Sequence, residues 1–265
     1  MLEPLIAEGP PVPAAVKAFF RAHPRPAIAF SGGTDSAYLL YCACRCCADV
    51  TAYFVRTPFQ TRAELERAIE VALDLKANLC LLNLDILNVP EVAANGPDRC
   101  YRCKTALLNW MLTAAGEDGR SALADGTNAS DDPAERPGMR ALEELGIASP
   151  LRDAGLTKEM VRERSKAAGL PTWDLPSDSC LATRIPAGTA ITAEDLRRTE
   201  RAETALRALG LTDLRVRQRG RTARVEVPAA LLPQAERLLP QIRTALAGEY
   251  GAVTLASRRA AGTAL

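Results

Sequence analysis

The segment that most constrains the fold is a short apolar stretch, AIAF at 27–30, which runs directly into SGGTDS and then into AYLLYCACRCC. The apolar residues follow Pro24 and Pro26 and predict a short buried strand, and the apolar run after the glycines has the length of a helix. A strand that enters a helix through a glycine turn begins the alternation from which parallel sheets are built. We therefore expect a parallel sheet in the N-terminal part of the chain.

The same alternation continues along the chain. Further strands are predicted over 51–55, 78–87 and 121–126, and helices over 62–76 and 105–116. A loop rich in glycine, proline and asparagine is predicted to lead to Cys100. Strands and helices that alternate at this spacing predict an α/β fold with a doubly wound parallel sheet, covered by helices on both faces.

The pattern changes after about Pro186. A long amphipathic helix is predicted over 192–209, with Thr192 as its N-cap and Gly210 as its stop. Two alternating segments follow, and because they are joined near Gly220 they predict a hairpin.

The last part of the chain is predicted to contain a second helix over 230–248 and a final strand over 252–257. Together with the hairpin, these elements make a smaller α+β domain. We therefore expect two domains, one over 1–186 with the parallel sheet and one over 187–265 that serves substrate binding or oligomerisation.

Composition and charge exclude several classes of protein. The chain has 265 residues with 33 basic and 32 acidic side chains, so its formal net charge is +1 and does not favour a nucleic-acid coat protein. It has no run of about 18 apolar residues that could span a membrane, and its first residues lack the basic segment of a secretory signal. We therefore expect a cytoplasmic protein with no membrane segment, and we do not expect nucleic acid as its partner.

The chain has eight cysteines. In a cytoplasmic protein, thiols belong more often to a core, a metal site or a catalytic site than to disulfides. Five of them fall within predicted helices or strands and are expected in the core: Cys42, Cys44, Cys46, Cys47 and Cys80. The other three, Cys100, Cys103 and Cys180, are candidates for chemistry.

The first candidate site is the loop between the first strand and the helix after it, and it contains Ser31, Gly32, Gly33, Asp35 and Ser36. Two glycines allow the backbone amides to turn towards a ligand, and the helix that follows directs its positive end to the same place. Such a loop favours phosphate, and Asp35 fits there only if Mg²⁺ bridges it to the phosphates. The lysine of a Walker A loop is absent. The alternative is a turn of serine, glycine and aspartate that only caps the helix.

At these residues the sequence resembles the PP-loop ATP pyrophosphatases, whose fingerprint is SGGxDS after the first strand. The stretch DGTN at 125–128, which ends the fourth predicted strand, is similar to their second nucleotide-binding element. The resemblance implies that the loop binds the pyrophosphate part of ATP, with Gly126 and Thr127 at the same nucleotide, and that the enzyme adenylates its substrate. Ligands of doubly wound folds bind at the carboxyl ends of the strands, where both elements are expected.

Three further segments resemble the LarE family of ATP-dependent sulfur transferases. They are CYRCK at 100–104, RPGMRAL at 136–142 and PSDSCLATR at 176–184. The resemblance implies a reaction in which a carboxylate of a pyridinium dicarboxylate mononucleotide becomes a thiocarboxylate, on the route to a nickel-pincer cofactor. It also implies that Arg215, Arg217 and Glu203 lie at positions that face substrate or metal, and that the chain forms homo-oligomers.

The residue types account for this chemistry. ATP would convert a carboxylate into an acyl-adenylate, and a sulfur nucleophile would then displace AMP. Arg184, Arg215 and Arg217 could bind the anionic groups of the substrate through paired hydrogen bonds, and Tyr101 could stack on its pyridinium ring. Arg215 and Arg217 share a strand face with Arg219, and the alternative for that face is a solvated hairpin.

Two sources of sulfur are compatible with the cysteines. Cys180 could give up its own sulfur and remain as dehydroalanine, or Cys100, Cys103 and Cys180 could hold a [4Fe–4S] cluster with one iron left for an extra sulfide. A sacrificial cysteine needs no CxxC, so the pair favours the cluster. A zinc site would lack a fourth protein ligand, since the sole histidine, His23, is expected to be structural. The sequence does not identify the donor that supplies new sulfur.

Two other functions are compatible with the same residues. A tRNA-thiolating enzyme shares the loop and the CxxC but needs a basic RNA-binding surface, which the near-neutral charge does not favour. A non-catalytic iron–sulfur or nucleotide-binding module would not need the complete loop. The sequence therefore predicts an adenylating sulfurtransferase with ATP, Mg²⁺ and a [4Fe–4S] cluster as cofactors and a small nucleotide as substrate.

Overall fold

The structure, a computed structural model, describes residues 9–132, 134, 138–176 and 179–258. These residues form two compact units. The first runs to Ile86 and continues over Asp98–Leu175, and the second contains Leu87–Pro97 and the described residues from Pro176 onwards. The domain boundary expected at 186 falls inside the second of these units.

Strands and helices alternate through most of the first unit. The strands of the described residues are β1 (Pro26–Ala29), β2 (Thr51–Arg56), β3 (Asn78–Asn83), β4 (Ala122–Asp125), β5 (Arg215–Arg219), β6 (Thr222–Pro228) and β7 (Ala252–Arg258). The α-helices are α1 (Ala14–Ala22), α2 (Thr34–Cys46), α3 (Arg62–Asp74), α4 (Pro90–Ala93), α5 (Arg99–Glu117), α6 (Met139–Glu144), α7 (Pro150–Asp153), α8 (Lys158–Ala167), α9 (Ala193–Ala208), α10 (Leu232–Arg237) and α11 (Leu239–Leu246). Short 3₁₀ turns lie at Ile86–Asn88, Leu181–Arg184 and Ala229–Leu231.

The first unit is built on a parallel sheet. Its strands β1 to β4 are all parallel and lie in the order β3-β2-β1-β4. Helices α1, α2, α3 and α8 contribute to the core on one face, and α5 and α6 contribute to the core on the other. The predicted α/β fold with a doubly wound parallel sheet is therefore confirmed.

The central strands are apolar because both of their faces are covered. In β2, Ala52 and Phe54 belong to the core beneath α2 and α3, whereas Tyr53 and Val55 belong to the core beneath α5. Parallel strands buried on both faces carry such continuous apolar runs. The register of β1 and β4 pairs Ala29 with the last residue of β4, so both strands end at the same edge of the sheet. The glycine loop and the DGTN element follow from that edge.

The strand predicted over 78–87 is too long. β3 ends at Asn83, whose partner Arg56 is the last residue of β2. Beyond that pair only the N–H of Leu84 still bonds to the carbonyl of Arg56, at 3.0 Å. A strand cannot extend past the ladder that satisfies its backbone groups.

The helix predicted over 105–116 begins earlier than expected. α5 starts at Arg99, and the N–H of Arg102 already donates to the carbonyl of Asp98 at 2.9 Å. The CYRC segment therefore lies on the first turns of a 19-residue helix and not in the loop that precedes it.

The second unit has the predicted hairpin and helix. β5 and β6 pair antiparallel around Gly220, whose φ of +55° suits glycine, and β7 pairs in parallel with β6. α9 begins after Thr192, whose side-chain oxygen accepts the N–H of Asp195 at 3.1 Å. The chain leaves this helix at Gly210, with φ of +88°. The predicted cap and stop of this helix are both confirmed.

One face of the second sheet is apolar and covered by helices. Val216, Val225 and Val227 are fully buried there, with Leu206 of α9 and Ile242 of α11 in the same core. Because side chains alternate along a strand, the opposite face receives the charged residues of the hairpin.

The helix predicted over 230–248 is in fact two helices. α10 ends at Arg237, Leu238 lies between the two helices, and Pro240 occupies the first turn of α11. Proline has no N–H and its ring clashes with the carbonyl four residues earlier, so one continuous helix is excluded at this point.

Candidate active site

The glycine loop between β1 and α2 is held by its own two serines. The hydroxyl of Ser36 accepts the N–H of Ser31 at 3.3 Å, lies 3.1 Å from the hydroxyl of Ser31, and donates to the carbonyl of Gly33 at 3.1 Å. α2 begins immediately after Gly33, so the N-terminal amides of a 13-residue helix open onto the loop. Such a helix end attracts anions, because its amides are unpaired and its dipole is positive there.

Close backbone contacts require two glycines of this site. Gly32 has a φ of +71°, and a Cβ at this position would lie 3.0 Å from the Cα of Ala68 on α3. A Cβ at Gly126 would lie 2.8 Å from the backbone nitrogen of Ser36. The residue after β4 therefore touches the first turn of α2, and the structure brings the SGGTDS and DGTN elements together.

Asp125, the last residue of β4, organises the turn after it. Its carboxylate accepts the hydroxyl and the N–H of Thr127 at 2.7 and 3.1 Å, and the hydroxyl of Ser149 at 2.7 Å. The Nζ of Lys104 lies 3.3 Å away. Because Asp125 is only 7% exposed, these donors replace the water that a carboxylate needs. Asp125 thereby holds Thr127 in place.

Lys104 belongs to the CYRCK segment, but the sequence pattern alone assigns it no role in the candidate site. It lies on α5, four residues after Cys100, and its ammonium reaches the DGTN turn through Asp125. The signal in the sequence was the spacing, because residues four apart share one face of a helix. This signal could be used only once the CYRC segment was known to be helical.

Cys100 and Cys103 lie on one helical turn at the start of α5, with Cys100 exposed and Cys103 buried. The ring of Tyr101 between them is covered by the guanidinium of Arg140, 3.6 Å from the ring centroid, and its hydroxyl donates to Glu144 at 2.5 Å. The guanidinium of Arg102 lies 5.7 Å from the same centroid, and the stacking of Tyr101 on a pyridinium ring stays a prediction.

The residues predicted to bind metals fit in part. Among the described residues, no three cysteine, histidine, aspartate or glutamate side chains are grouped to hold a metal ion. Two thiols on one turn, Cys100 and Cys103, suit two ligand positions of an iron–sulfur cluster. Asp35 lies half-buried in the first turn of α2, where a carboxylate can share Mg²⁺ with bound phosphates. Both metal sites stay predictions.

Cys180 lies on an ordered turn of the second unit. Its carbonyl accepts the N–H of Thr183 at 3.0 Å and the hydroxyl of Thr183 at 2.9 Å. Arg184 donates to the carbonyl and the hydroxyl of Ser179, both at 2.8 Å. The backbone on both sides of Cys180 is therefore fixed by hydrogen bonds.

Arg184 and Glu203 form a buried ion pair. The Nε of Arg184 lies 2.7 Å from Oε1 of Glu203, and the two side chains are 1% and 0% exposed. Glu203 also accepts the N–H of Val216 and the Nη2 of Arg207, both at 3.0 Å. Substrate binding by Arg184 and metal binding by Glu203 stay predictions, and either would require this buried network to open.

The arginines of β5 share one face of the strand, as predicted. Arg215 and Arg217 are half-buried and Arg219 is exposed, whereas Val216 on the other face is fully buried. The Nη1 of Arg217 donates to the carbonyl of Thr183 at 2.7 Å. Arg217 therefore links this face to the turn that carries Cys180.

The cysteines of α2 pack in the core, as predicted. Cys42 is fully buried, and Cys44, Cys46 and Cys47 pack against the same core. Burial raises the pKa of the Cys42 and Cys44 thiols to about 12. Such thiols carry almost no thiolate at neutral pH and are poor nucleophiles. Cys80 is half-buried against the core on the other face of the sheet.

Parts of two predicted segments lie outside the described residues. They are Arg136 and Pro137 of the RPGMRAL segment, and Ser177 and Asp178 of the PSDSCLATR segment. The described remainder of the first segment begins at Gly138, which directly precedes α6.

Comparison with known proteins gives three relatives that match over most of the chain, whereas no family model matches it. An uncharacterised protein of Synechocystis is 36% identical over 220 residues, 83% of this chain and 82% of the relative. An uncharacterised protein of Methanocaldococcus jannaschii is 32% identical over 200 residues, 76% of each chain. The pyridinium-3,5-bisthiocarboxylic acid mononucleotide synthase of Lactiplantibacillus plantarum is 33% identical over 208 residues, 78% of this chain and 75% of the synthase. The chain belongs to the LarE family.

This result confirms the LarE resemblance that the CYRCK and PSDSCLATR segments suggested. The candidate residues of this LarE-family chain are divided between its units. The first unit contains Ser31, Gly32, Gly33, Asp35, Ser36, Cys100, Tyr101, Cys103, Gly126 and Thr127, and the second contains Cys180, Arg184, Glu203, Arg215 and Arg217. No helix in the described part of this LarE-family protein is both long and apolar enough to cross a membrane.

Proposed function

We propose that this chain is an ATP-dependent sulfur transferase that adenylates a carboxylate of a pyridinium dicarboxylate mononucleotide and converts it to a thiocarboxylate. The observation that carries the proposal is the complete glycine loop at the N-terminus of α2, in backbone contact with Gly126. The relative named pyridinium-3,5-bisthiocarboxylic acid mononucleotide synthase suggests the substrate and the reaction.

In the first step, an oxygen of the substrate carboxylate attacks the α-phosphorus of ATP. A phosphorus–oxygen bond forms, the bond to the β-phosphate oxygen breaks, and pyrophosphate leaves with the electron pair. The amides of the loop and of the first turn of α2 bind the phosphates and disperse the charge that develops on them. Asp35 would hold Mg²⁺, which neutralises phosphate charge when it is bound.

In the second step, a sulfur nucleophile attacks the carbonyl carbon of the acyl-adenylate, and AMP leaves. With Cys180 as the source, its Sγ first forms a thioester with the substrate. Loss of the Cα proton then breaks the Cβ–Sγ bond, which yields the thiocarboxylate and leaves dehydroalanine at position 180. The hydrogen bonds from Thr183 and Arg184 fix the backbone beside Cys180, where these two reaction steps would take place.

The alternative source is a [4Fe–4S] cluster held by Cys100, Cys103 and Cys180, and we favour it because a sacrificial cysteine needs no CxxC. When bound, such a cluster supplies a sulfide on the iron that has no protein ligand. The placement of Cys100 and Cys103 on one turn of α5 supports this choice for two of the three ligands.

The activity can be tested with purified protein, ATP, Mg²⁺ and the pyridinium dicarboxylate mononucleotide. We expect pyrophosphate release and, by mass spectrometry, a product in which sulfur replaces oxygen. Asp35→Asn should abolish both, whereas Asp153→Asn, which changes an exposed carboxylate on α7, should retain both. Release of pyrophosphate without any thiocarboxylate would contradict sulfur transfer, and salt-sensitive binding of tRNA would favour tRNA thiolation instead.

The sulfur source can be tested separately by anaerobic purification with iron and sulfide analysis. We expect about four irons per chain if the cluster is present. Protein without iron whose Cys180 loses the mass of hydrogen sulfide after one turnover would establish the sacrificial route. Cys100→Ala distinguishes the two sulfur sources, because it removes a cluster ligand but leaves a sacrificial Cys180 intact.

We also propose that the chain forms homo-oligomers, which light scattering can measure.

A further inference from the structure

The parallel sheet of the first unit has two edges, and they differ in what covers them. The strand order β3-β2-β1-β4 places β3 at one edge and β4 at the other. On the outer side of β4, the N–H of Ala148 donates to the carbonyl of Leu123, and the carbonyl of Ala148 accepts the N–H of Asp125. On β3, the strand partner within the described residues is β2 alone, so its outer side is a free edge.

The register shows which backbone groups of β3 lie at this free edge. The N–H of Leu84 donates to the carbonyl of Arg56 in β2. Along a strand, the backbone groups of successive residues point alternately to one neighbour and to the other. The even-numbered residues of β3 therefore bond to β2, and Leu79, Leu81 and Asn83 direct their N–H and C=O groups outwards. Within the described ranges, these outward groups have no backbone partner.

The free edge lacks the features that commonly prevent edge strands from pairing. Residues 77–84, ANLCLLNL, contain no charged side chain and no proline, and β3 pairs with β2 without a bulge. Leu81 is 44% exposed, and Leu82 and Leu84 are only half-buried. An uncharged apolar edge of this kind is a template for another strand.

The sequence of β3 is complementary to a second copy of itself. Around a two-fold axis at Leu81, two antiparallel copies place Leu81 opposite Leu81 of the second copy, and Leu79 opposite Asn83. These are the residues whose backbone groups point outwards, so each of them would form a hydrogen-bonded pair. All the side chains that meet across the axis are uncharged, and therefore no like charges oppose the pairing.

The charges that flank β3 also favour this arrangement. Exposed Lys76 lies before the strand and exposed Asp85 lies after it. In the antiparallel pair, Asp85 of the second copy lies opposite Ala77 and therefore next to Lys76, so opposite charges meet at both ends. A two-fold contact uses the same surface on both copies and is the commonest arrangement in homo-oligomers. These features favour a second copy over an unrelated strand.

We propose that β3 pairs antiparallel with β3 of a second copy of this chain, about a two-fold axis at Leu81. The two parallel sheets then join into one continuous sheet. The pairing satisfies the outward backbone groups of both copies and covers each exposed Leu81 with its counterpart. This interface depends on the homo-oligomer proposed above, and it is independent of the sulfur chemistry.

Gel filtration of the full chain with light scattering tests the interface. Leu81→Lys places two ammonium groups opposite each other at the axis, so we expect the mass of the oligomer to fall to about half. Because Leu81 is partly exposed in the single chain, the variant should fold, which circular dichroism checks.

Two controls should retain the wild-type mass. Leu81→Val keeps an apolar side chain with a high preference for strands. Met160→Lys adds the same charge at an exposed residue of α8, away from β3.

Cross-linking gives an independent measurement. Opposed residues of a hydrogen-bonded pair have Cα atoms about 5.5 Å apart, which suits a disulfide. Under mild oxidation with copper phenanthroline, Leu81→Cys should therefore give a covalent dimer on a non-reducing gel, in higher yield than the wild type. Asn78→Cys should not, because its two copies would lie about 20 Å apart along the paired strands.

A wild-type chain that remains a monomer would overturn both the interface and the homo-oligomer, and it would leave the proposed sulfur transfer untouched. An oligomer whose mass does not change in Leu81→Lys, and which Leu81→Cys does not cross-link, would overturn the interface alone. If Leu81→Lys does not fold, cross-linking decides: equal yields for Leu81→Cys and Asn78→Cys would reject the interface.

Discussion

The guanidinium of Arg184 and the carboxylate of Glu203 join the Cys180 turn to α9 through a fully buried ion pair, with 2.7 Å between Nε and Oε1. Glu203 extends the connection to β5 through the N–H of Val216. Three parts of the second unit that are distant in the sequence thus meet at one carboxylate. We therefore expect the pair to affect both the stability of the unit and the position of Cys180.

Glu203→Gln should destabilise the second unit by about 3–5 kcal/mol, because it leaves the buried charge of Arg184 without a counter-ion. Urea unfolding, followed by a probe in that unit, measures this change. The control is Glu66→Gln, which breaks an exposed pair with Arg62 and should cost less than about 1 kcal/mol. Equal losses in the free energy of unfolding for the two variants would mean that the buried Arg184–Glu203 pair contributes no more than an exposed pair.

Gly126→Ala should displace the first turn of α2, because the new Cβ would lie 2.8 Å from the backbone nitrogen of Ser36. We expect a destabilisation of about 1–3 kcal/mol and at least a tenfold loss in the affinity for ATP. Fluorescence titration with an ATP analogue and thermal unfolding measure the two effects.

The matched control for that variant is Gly116→Ala, since Gly116 is exposed on α5 and a Cβ there has open space around it. This change should leave ATP binding intact and raise stability by about 0.4–1 kcal/mol, because alanine favours the helix. If Gly126→Ala bound ATP as tightly as Gly116→Ala, the contact between the two loops would be irrelevant to the nucleotide.

Asp125→Asn should loosen the DGTN turn. The amide of asparagine offers one acceptor oxygen and presents donors to the Ser149 hydroxyl, the Thr127 N–H or Lys104, so at least one buried donor loses its partner. We expect a cost of about 1–3 kcal/mol and weaker ATP binding, whereas Asp74→Asn at an exposed site on α3 should change neither. Chemical denaturation and ATP titration of both variants provide the comparison. Unchanged stability and ATP affinity of Asp125→Asn would show that the DGTN turn does not depend on the Asp125 carboxylate.

The stability of the first unit should fall in alkali, in part through Cys42. Burial raises the pKa of this thiol from 9.0 to about 12, so between these pH values the unfolded state has lost a proton that the folded state keeps. Stability contributed by Cys42 is therefore complete below about pH 9 and declines as the pH rises towards 12, by up to about 1.4 kcal/mol per pH unit.

Denaturant unfolding of Cys42→Ala between pH 8 and about 11 tests this, because the variant should lose stability less steeply with pH than the wild type. The comparison concerns slopes, since the substitution also leaves a small cavity. Identical slopes for the wild type and Cys42→Ala would contradict a contribution of the buried Cys42 thiol to the loss of stability in alkali.

Local patterns predicted the strands and helices of the first unit well, but they predicted the ends of these elements less well. The apolar strand, the glycine turn and the periodic helix at 62–76 each carry their own signal, so the parallel α/β fold followed from them. The end of β3 at Asn83 depends on where β2 ends, and a single strand does not record the length of its partner. The start of α5 at Arg99 was predicted too late because CYRC, about one helical turn long, has too few apolar residues to show a helical pattern of its own.

The amino-acid sequence by itself determined the alternation of strands and helices, the glycine loop between β1 and α2 and the membership of the LarE family, because these depend on residues that are adjacent or regularly spaced. Only the tertiary structure decided that Arg184 is enclosed by Glu203, that Lys104 meets Asp125, and that Arg217 and Arg224 share one carboxylate. Each of these contacts joins different elements or different strands, and its charge acquires a role only when folding brings the partner close and excludes water.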